Sequence, residues 1–125
     1  MSIHRFATIT LSLLLTTGSI ALAHEAAKGR NGGLRVDAGA YHAELLVDGT
    51  TNVAVYLSDA DDMPISAKDF NANAILIIEG KSQRFPLIPA EGSKLVGTAP
   101  APVMPGVKGA IQLAAPDGAT AQAKF

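Results

Sequence analysis

The chain has 125 residues, with 10 Lys and Arg against 11 Asp and Glu, so its formal net charge is −1. The basic residues are scattered and the aromatic residues do not cluster, which argues against a nucleic-acid partner. Cysteine is absent, which excludes disulfides, thiolate metal sites and a cysteine nucleophile. Side-chain packing therefore has to hold the folded domain together.

Residues 1–23 have the layout of a secretory signal peptide. A cationic start at Arg5 precedes an apolar run, and Ala21 and Ala23 supply the small residues of a cleavage site. A membrane anchor is the alternative, but serine and threonine dilute a segment already near the lower length limit for crossing a bilayer. We therefore predict cleavage after Ala23, a periplasmic location, and no membrane insertion of residues 24–125.

The remaining chain divides into a lead-in and one domain. Residues 24–33 are polar, small and rich in glycine, and are predicted to form a flexible lead-in. From residue 34 to residue 125, short extended segments alternate with turn residues, without any sustained helical periodicity. One domain, 34–125, is therefore predicted after the lead-in.

The clearest local signal in this domain is a β-hairpin. Asp48-Gly49 separates two runs of alternating apolar and polar residues, 41–47 and 52–57, as in a tight hairpin turn. His42 and Glu44 lie on the polar face of the first run. We therefore expect this hairpin to have one buried side and one mostly solvated side.

The second half of the domain shows the same pattern with interruptions. The acidic stretch 58–73 is interpreted as a surface turn, and its capping-box pattern at 66–69 predicts a single helical turn there. Pro86 favours a sheet edge for the segment 83–88, because proline cannot donate a ladder hydrogen bond. The proline-rich segment 99–105 is typical of a stiff crossover between two sheets.

Together these elements predict an all-β fold. Seven or eight short strands with regular turn signals favour a single antiparallel β-sandwich, and a small closed barrel is the alternative.

Two histidines remain after the predicted cleavage, and they suggest a metal site. His24 becomes the first residue, so its α-amine and its ring could chelate one ion, an arrangement that suits Cu(II). His42 could add a second imidazole, and Glu44 a nearby carboxylate. The sequence therefore predicts a copper or other divalent-metal site formed by His24, His42 and Glu44.

Catalysis is not indicated. A Gly-x-Ser-x-Gly nucleophile elbow and a phosphate-binding glycine loop are both missing from the sequence, and no serine is marked as a partner for His42. We therefore predict that the protein is not an enzyme.

Several short motifs resemble a group of small bacterial periplasmic proteins. These motifs are Asn31-Gly32-Gly33, Tyr41 to Gly49, Val55 to Pro64, Phe85 to Ala90, Leu95 to Gly97, and Ala121 to Phe125. Similar segments are attached to periplasmic adaptor subunits of heavy-metal efflux systems. The resemblance implies an immunoglobulin-like sandwich and a role in metal homeostasis. The chain departs from that pattern at Asn31, where the family has histidine.

Two functions follow from these observations as expectations. The first is a periplasmic accessory protein of metal homeostasis that binds copper or another divalent cation weakly. The second is a protein-interaction module that docks on an efflux or other envelope complex without binding metal. An exposed sheet edge near Pro86 could serve the second function by strand addition.

Overall fold

The computed structural model describes residues 26–125. The predicted signal peptide and His24 lie outside the described residues. Nine strands are found: β1 (Ala27–Lys28), β2 (Leu34–Ala38), β3 (Tyr41–Val47), β4 (Asn52–Ser58), β5 (Asn71–Ile78), β6 (Lys81–Pro89), β7 (Lys94–Thr98), β8 (Lys108–Ala114) and β9 (Thr120–Lys124). No helix in this part of the chain is long and apolar enough to cross a membrane.

The strands form one antiparallel sheet in the order β1-β2-β3-β4-β7-β6-β5-β8-β9. The sheet curls on itself like a half-barrel, so that β2, the second strand from one end, contacts β9 at the other end. The all-β, antiparallel prediction is thus confirmed. The strand count exceeds the expected seven or eight, because Ala27 and Lys28 inside the predicted lead-in form a two-residue strand on β2.

The core lies inside the curl and is built from alternate strand residues, as the period of two requires. Its largest fully buried side chains are Leu57, Leu76, Leu87, Leu95, Ile111, Val53, Val55 and Val103. An edge-to-face contact between Tyr41 and Phe70, with centroids 5.4 Å apart, adjoins this core. Leucine, isoleucine and valine thus supply most of the volume that holds the domain together.

The predicted hairpin at Asp48-Gly49 is present and joins β3 to β4. Asp48 Oδ1 accepts hydrogen bonds from Thr50 N at 3.1 Å and Thr50 Oγ1 at 2.6 Å, and these lower the pKa of Asp48. The turn also binds the proline-rich crossover, since Val103 N donates to Thr50 O at 2.9 Å. The crossover carries the chain from β7 to β8, which are separated in the sheet by β6 and β5.

Two local expectations differ from the structure. The segment at 66–69 is a turn closed by Phe70 N donating to Ala67 O, and Asp69 has a φ of 67°, so no helical turn forms there. The strand that contains Pro86 lies between β5 and β7 rather than at an end of the sheet. β6 pairs with β5 as far as Leu87, and with β7 only through Ile88 and Pro89, whose partners are Val96 and Leu95. Pro86 therefore lies just before the point where β6 changes from one partner strand to the other.

Candidate functional site

The candidate site lies on the outer face of β2, β3 and β4. Cross-strand pairing places Asp37 of β2 beside His42 of β3, and places Arg35 beside Glu44. These residues face away from the core, because Val36, Ala43 and Leu45 between them are buried in it. The outer face therefore carries two neighbouring rows, each with one carboxylate: Asp37 beside the imidazole of His42, and Glu44 beside the guanidinium of Arg35.

The expectation that this face is solvated is wrong. His42 is 7% exposed and Glu44 is 5% exposed, so both are as buried as many core residues. Two segments cover them: the turn 29–33 lies over Glu44, and the loop 59–64 lies against His42. Strand alternation correctly assigned the face, but it does not reveal which loops fold back over a face.

The loop that covers His42 is closed by an aspartate. Asp59 Oδ1 accepts hydrogen bonds from the backbone N–H of Asp61 at 2.9 Å and of Met63 at 3.0 Å, a local Asx arrangement. The loop returns to the sheet where Pro64 bridges Ser58. Asp62, with a φ of 62°, is held at the tip of this loop and points its carboxylate at the site.

His42 lies between two carboxylates. Its Nδ1 is 2.6 Å from Oδ1 of Asp62, and its Nε2 is 3.1 Å from Oδ1 of Asp37. Because the two nitrogens point in opposite directions from the ring, the two carboxylates occupy opposite sides of the imidazole. The ring is therefore fixed in orientation by Asp62, while its other nitrogen faces the end of β2.

Arg35 completes this network. Its guanidinium forms an ion pair with Oδ2 of Asp62, so this one carboxylate binds both Arg35 and His42. The hydrogen bond from His42, together with the charge of Arg35, holds the pKa of Asp62 below its usual range. Asp62 thus remains ionised at neutral pH and serves as the anchor between the loop and the sheet.

Glu44 has a different role. Its Oε2 accepts hydrogen bonds from Asn31 N at 2.9 Å and Gly33 N at 2.8 Å, and its Oε1 accepts one from Asn31 Nδ2 at 3.1 Å. The carboxylate thereby satisfies the amides of the turn 29–33. Part of the predicted lead-in is in this way attached to β3.

These two segments border a small cleft. Its volume is about 220 Å³, and Arg30, Tyr56 and Ser93 contribute to its walls beside the network residues. Cationic and anionic side chains are mixed along it, so the cleft presents no single charge to a ligand.

Of the three predicted metal ligands, the structure describes two. His42 and Glu44 lie on the same face of β3, but the Glu44 oxygens already bind the turn 29–33. Within residues 26–125, no group of three or more His, Cys, Asp or Glu residues is arranged to hold a metal ion. Sequence reasoning missed Asp37 and Asp62. Strand register could have indicated Asp37, whereas nothing local connects Asp62 with a residue 20 positions earlier.

Neither a protein-family model, nor a curated protein, nor a solved structure matches this chain.

Proposed function

We propose that the protein is an exported, non-catalytic accessory protein of metal homeostasis in the periplasm, with an immunoglobulin-like sandwich as its underlying fold. In this proposal the processed chain binds copper or another divalent cation weakly through His24, His42 and a carboxylate. The carboxylate best placed for this is Asp37 rather than Glu44. The orientation of His42 by Asp62 is the observation that carries the proposal.

The two ring nitrogens of His42 have the partners that a metal-binding histidine needs, one to orient the ring and one beside the ion. A metal-binding histidine commonly donates its other ring N–H to a carboxylate, which fixes the tautomer and the ring orientation. Asp62 is placed for this role, at 2.6 Å from Nδ1. The opposite nitrogen, Nε2, and Asp37 Oδ1 lie 3.1 Å apart, so an ion entering between them would meet one nitrogen and one oxygen ligand.

The register of β1 supports the participation of His24. Ala27, the first residue of β1, pairs with Arg35, two residues before Asp37 on β2. His24 is three residues before Ala27, and three residues of extended chain cover at most about 10 Å. The proposal requires His24 to reach the Asp37–His42 pair across this short stretch.

Weak binding is expected for two reasons. Glu44 would have to give up its hydrogen bonds with Asn31 and Gly33 before it could ligate an ion, so it does not contribute. His42 is nearly buried, and an ion has to separate Nε2 from Asp37. Most of the affinity then comes from the chelate at His24, with His42 and Asp37 completing it.

Calorimetric titration of Cu(II) into the secreted protein tests this proposal, after mass spectrometry has identified its first residue. We expect saturable binding that His42→Ala and Asp37→Asn each weaken by about tenfold, which corresponds to about 1.4 kcal/mol, and that His24→Ala weakens further. Glu44→Gln is the matched control and should retain the affinity. A mature N-terminus other than His24, or wild-type affinity in His42→Ala, would contradict the proposal.

A second candidate function is docking on an envelope or efflux complex without metal. It is favoured by an apolar row across the outer face of β3, β4, β7 and β6, consisting of Leu46, Ala54, Val96 and Ile88. Ile88 is 61% exposed, and the row lines a groove with a volume of about 740 Å³. Asp48 and Lys94 also line this groove, and Lys94 supplies a positive charge for an acidic residue of the partner.

The partner suited to this groove is an extended protein segment with apolar side chains and a carboxylate facing Lys94. Ile88→Glu should prevent association with a purified candidate subunit of the envelope complex, measured by surface plasmon resonance. Ile77→Glu, on the outer face of β5, is a matched control that should leave association unchanged. Equal loss in both variants would contradict docking at this groove.

A further inference from the structure

The outer face of β6, β5, β8 and β9 carries an unusual set of polar side chains. Cross-strand pairing aligns the carboxamides of Asn73, Gln112 and Gln122 in one row, because Asn73 pairs with Gln112 and Gln112 pairs with Gln122. Asn71, two residues before Asn73 on β5, adds a fourth carboxamide to the same face. Neighbouring members of the row are about 4.8 Å apart, the spacing between adjacent strands.

This face is also positively charged. In the next row Arg84 of β6 pairs with Ile75, and Lys124 of β9 pairs with Ala110, so two cations flank an apolar centre. Lys108 of β8 lies one row further along. Among the described residues that face outward from these four strands, none is acidic. The chain as a whole has a net charge of −1, so the folded sheet concentrates positive charge here.

The carboxamides have unused hydrogen-bonding capacity. Arg84 Nη2 donates to Gln112 Oε1 at 3.2 Å, which leaves the amide group of Gln112 available as a donor. The row lines a shallow groove of about 540 Å³, within the usual range for a ligand site. Unlike His42 and Glu44 on the face of β2, β3 and β4, the members of this row are half-buried or exposed: Asn73 and Gln112 are half-buried and Gln122 is exposed.

We propose that this face, here called the amide face, binds an acidic polysaccharide. Carboxamides pair with sugar hydroxyl groups as both donors and acceptors, and their regular spacing is close to the length that one pyranose unit adds to an extended glycan. Arg84 and Lys124 would bind uronic-acid carboxylates on either side of the chain. This proposal is independent of metal binding and of the apolar groove, because it uses other residues: the two surfaces share only β6, which contributes Arg84 to the amide face and Ile88 to the apolar groove.

The alternative polyanion is a nucleic acid. Binding of single-stranded nucleic acid relies on aromatic side chains that stack with bases. The outward-facing described residues of β5, β6, β8 and β9 include no aromatic ring. Hydroxyl recognition by carboxamides therefore fits the amide face better than base stacking does.

Affinity electrophoresis of the secreted protein in gels that contain polygalacturonate tests the proposal. We expect polygalacturonate to retard the protein, whereas neutral dextran, polyphosphate and single-stranded DNA retard it far less. Asn73→Ala and Gln122→Ala should each weaken the apparent association about fivefold, the size expected for losing one hydrogen bond. Lys124→Gln should weaken it too and should reduce its salt dependence.

Matched controls lie on β4 and β7, outside the amide face. Asn52→Ala and Lys94→Gln change one carboxamide and one cation outside the amide face, and should leave retardation unchanged. Thermal unfolding of every variant verifies that it is folded. Wild-type retardation of Asn73→Ala and Gln122→Ala, equal retardation by polyphosphate or DNA, or no retardation by polygalacturonate would each overturn the proposal.

Discussion

The two outer faces of this sheet follow the same strand alternation and end in opposite environments. On the face of β2, β3 and β4 the outward side chains of His42 and Glu44 are buried under a turn and a loop. On β5, β8 and β9 the outward carboxamides remain in a shallow exposed groove. Strand alternation thus determines which side chains point away from the core, and the connecting segments determine whether these side chains are exposed to solvent.

The difference predicts unequal effects on stability, the largest of them at Glu44. Glu44→Ala removes the acceptor for the backbone amides of Asn31 and Gly33, so we expect a loss of about 2–3 kcal/mol in the free energy of unfolding. Gln122→Ala, on the exposed face, should change it by less than about 0.5 kcal/mol. Urea unfolding measures both, and equal losses would break the contrast between the faces.

Hydrogen exchange at the same turn tests the cause of that loss. In the wild type the amide protons of Asn31 and Gly33 should exchange slowly, because both are bonded to the Glu44 carboxylate. In Glu44→Ala they should exchange at rates close to those of an unstructured peptide. Slow exchange that persists in the variant would show that Glu44 does not hold the turn.

Asp62 should give a smaller effect that depends on pH, because its side chain is 45% exposed. Its pKa is lower in the folded protein than in the unfolded chain, so its ionised form stabilises the fold above the unfolded pKa. That stabilisation should disappear as the pH falls through the lowered, folded pKa. Asp62→Asn should therefore be less stable than the wild type at pH 7, and the gap should narrow in strong acid.

The matched control for this titration is Glu91→Gln, in the exposed loop between β6 and β7. It should follow the wild-type dependence of the urea midpoint on pH. A gap between Asp62→Asn and the wild type that stays constant down to strong acid would contradict the role given to the Asp62 carboxylate.

Lys94 should have the smallest effect. Its ammonium group lies 5.8 Å from the centre of the Tyr56 ring, a cation–π contact at a partly exposed position. We expect Lys94→Gln to cost about 0.5 kcal/mol in thermal unfolding, and Lys68→Gln, on an exposed turn, to cost nothing measurable. A larger loss at Lys68 than at Lys94 would contradict the contact.

The strands could be predicted because each carries its own signal. The hairpin at Asp48-Gly49 and the apolar residues 74–78 identify their strands through local residue patterns. The start of β5 at Asn71 was missed, since two asparagines precede the apolar run and asparagine is rare in strands. Local patterns thus located the middles of the strands better than their ends.

The site was less predictable, because its contacts join distant parts of the chain. His42 and Glu44 were identified as an outward pair, but their burial depends on Asp62 and on Asn31. Neither partner has a sequence feature that links it with β3. The metal ligand set stays a prediction: His24 lies outside the described residues, and Glu44 binds the turn instead.

The place of β4 next to β7 has a consequence for how the chain reaches this fold. When β4 has been synthesised, about 40 further residues must follow before Lys94–Thr98 can pair with it. During that interval one side of β4 has open backbone donors and acceptors, to which a neighbouring copy could add. The strand order thus keeps Asn52–Ser58 an open edge until the seventh strand has been made, the stage at which unpaired strand edges favour misassembly.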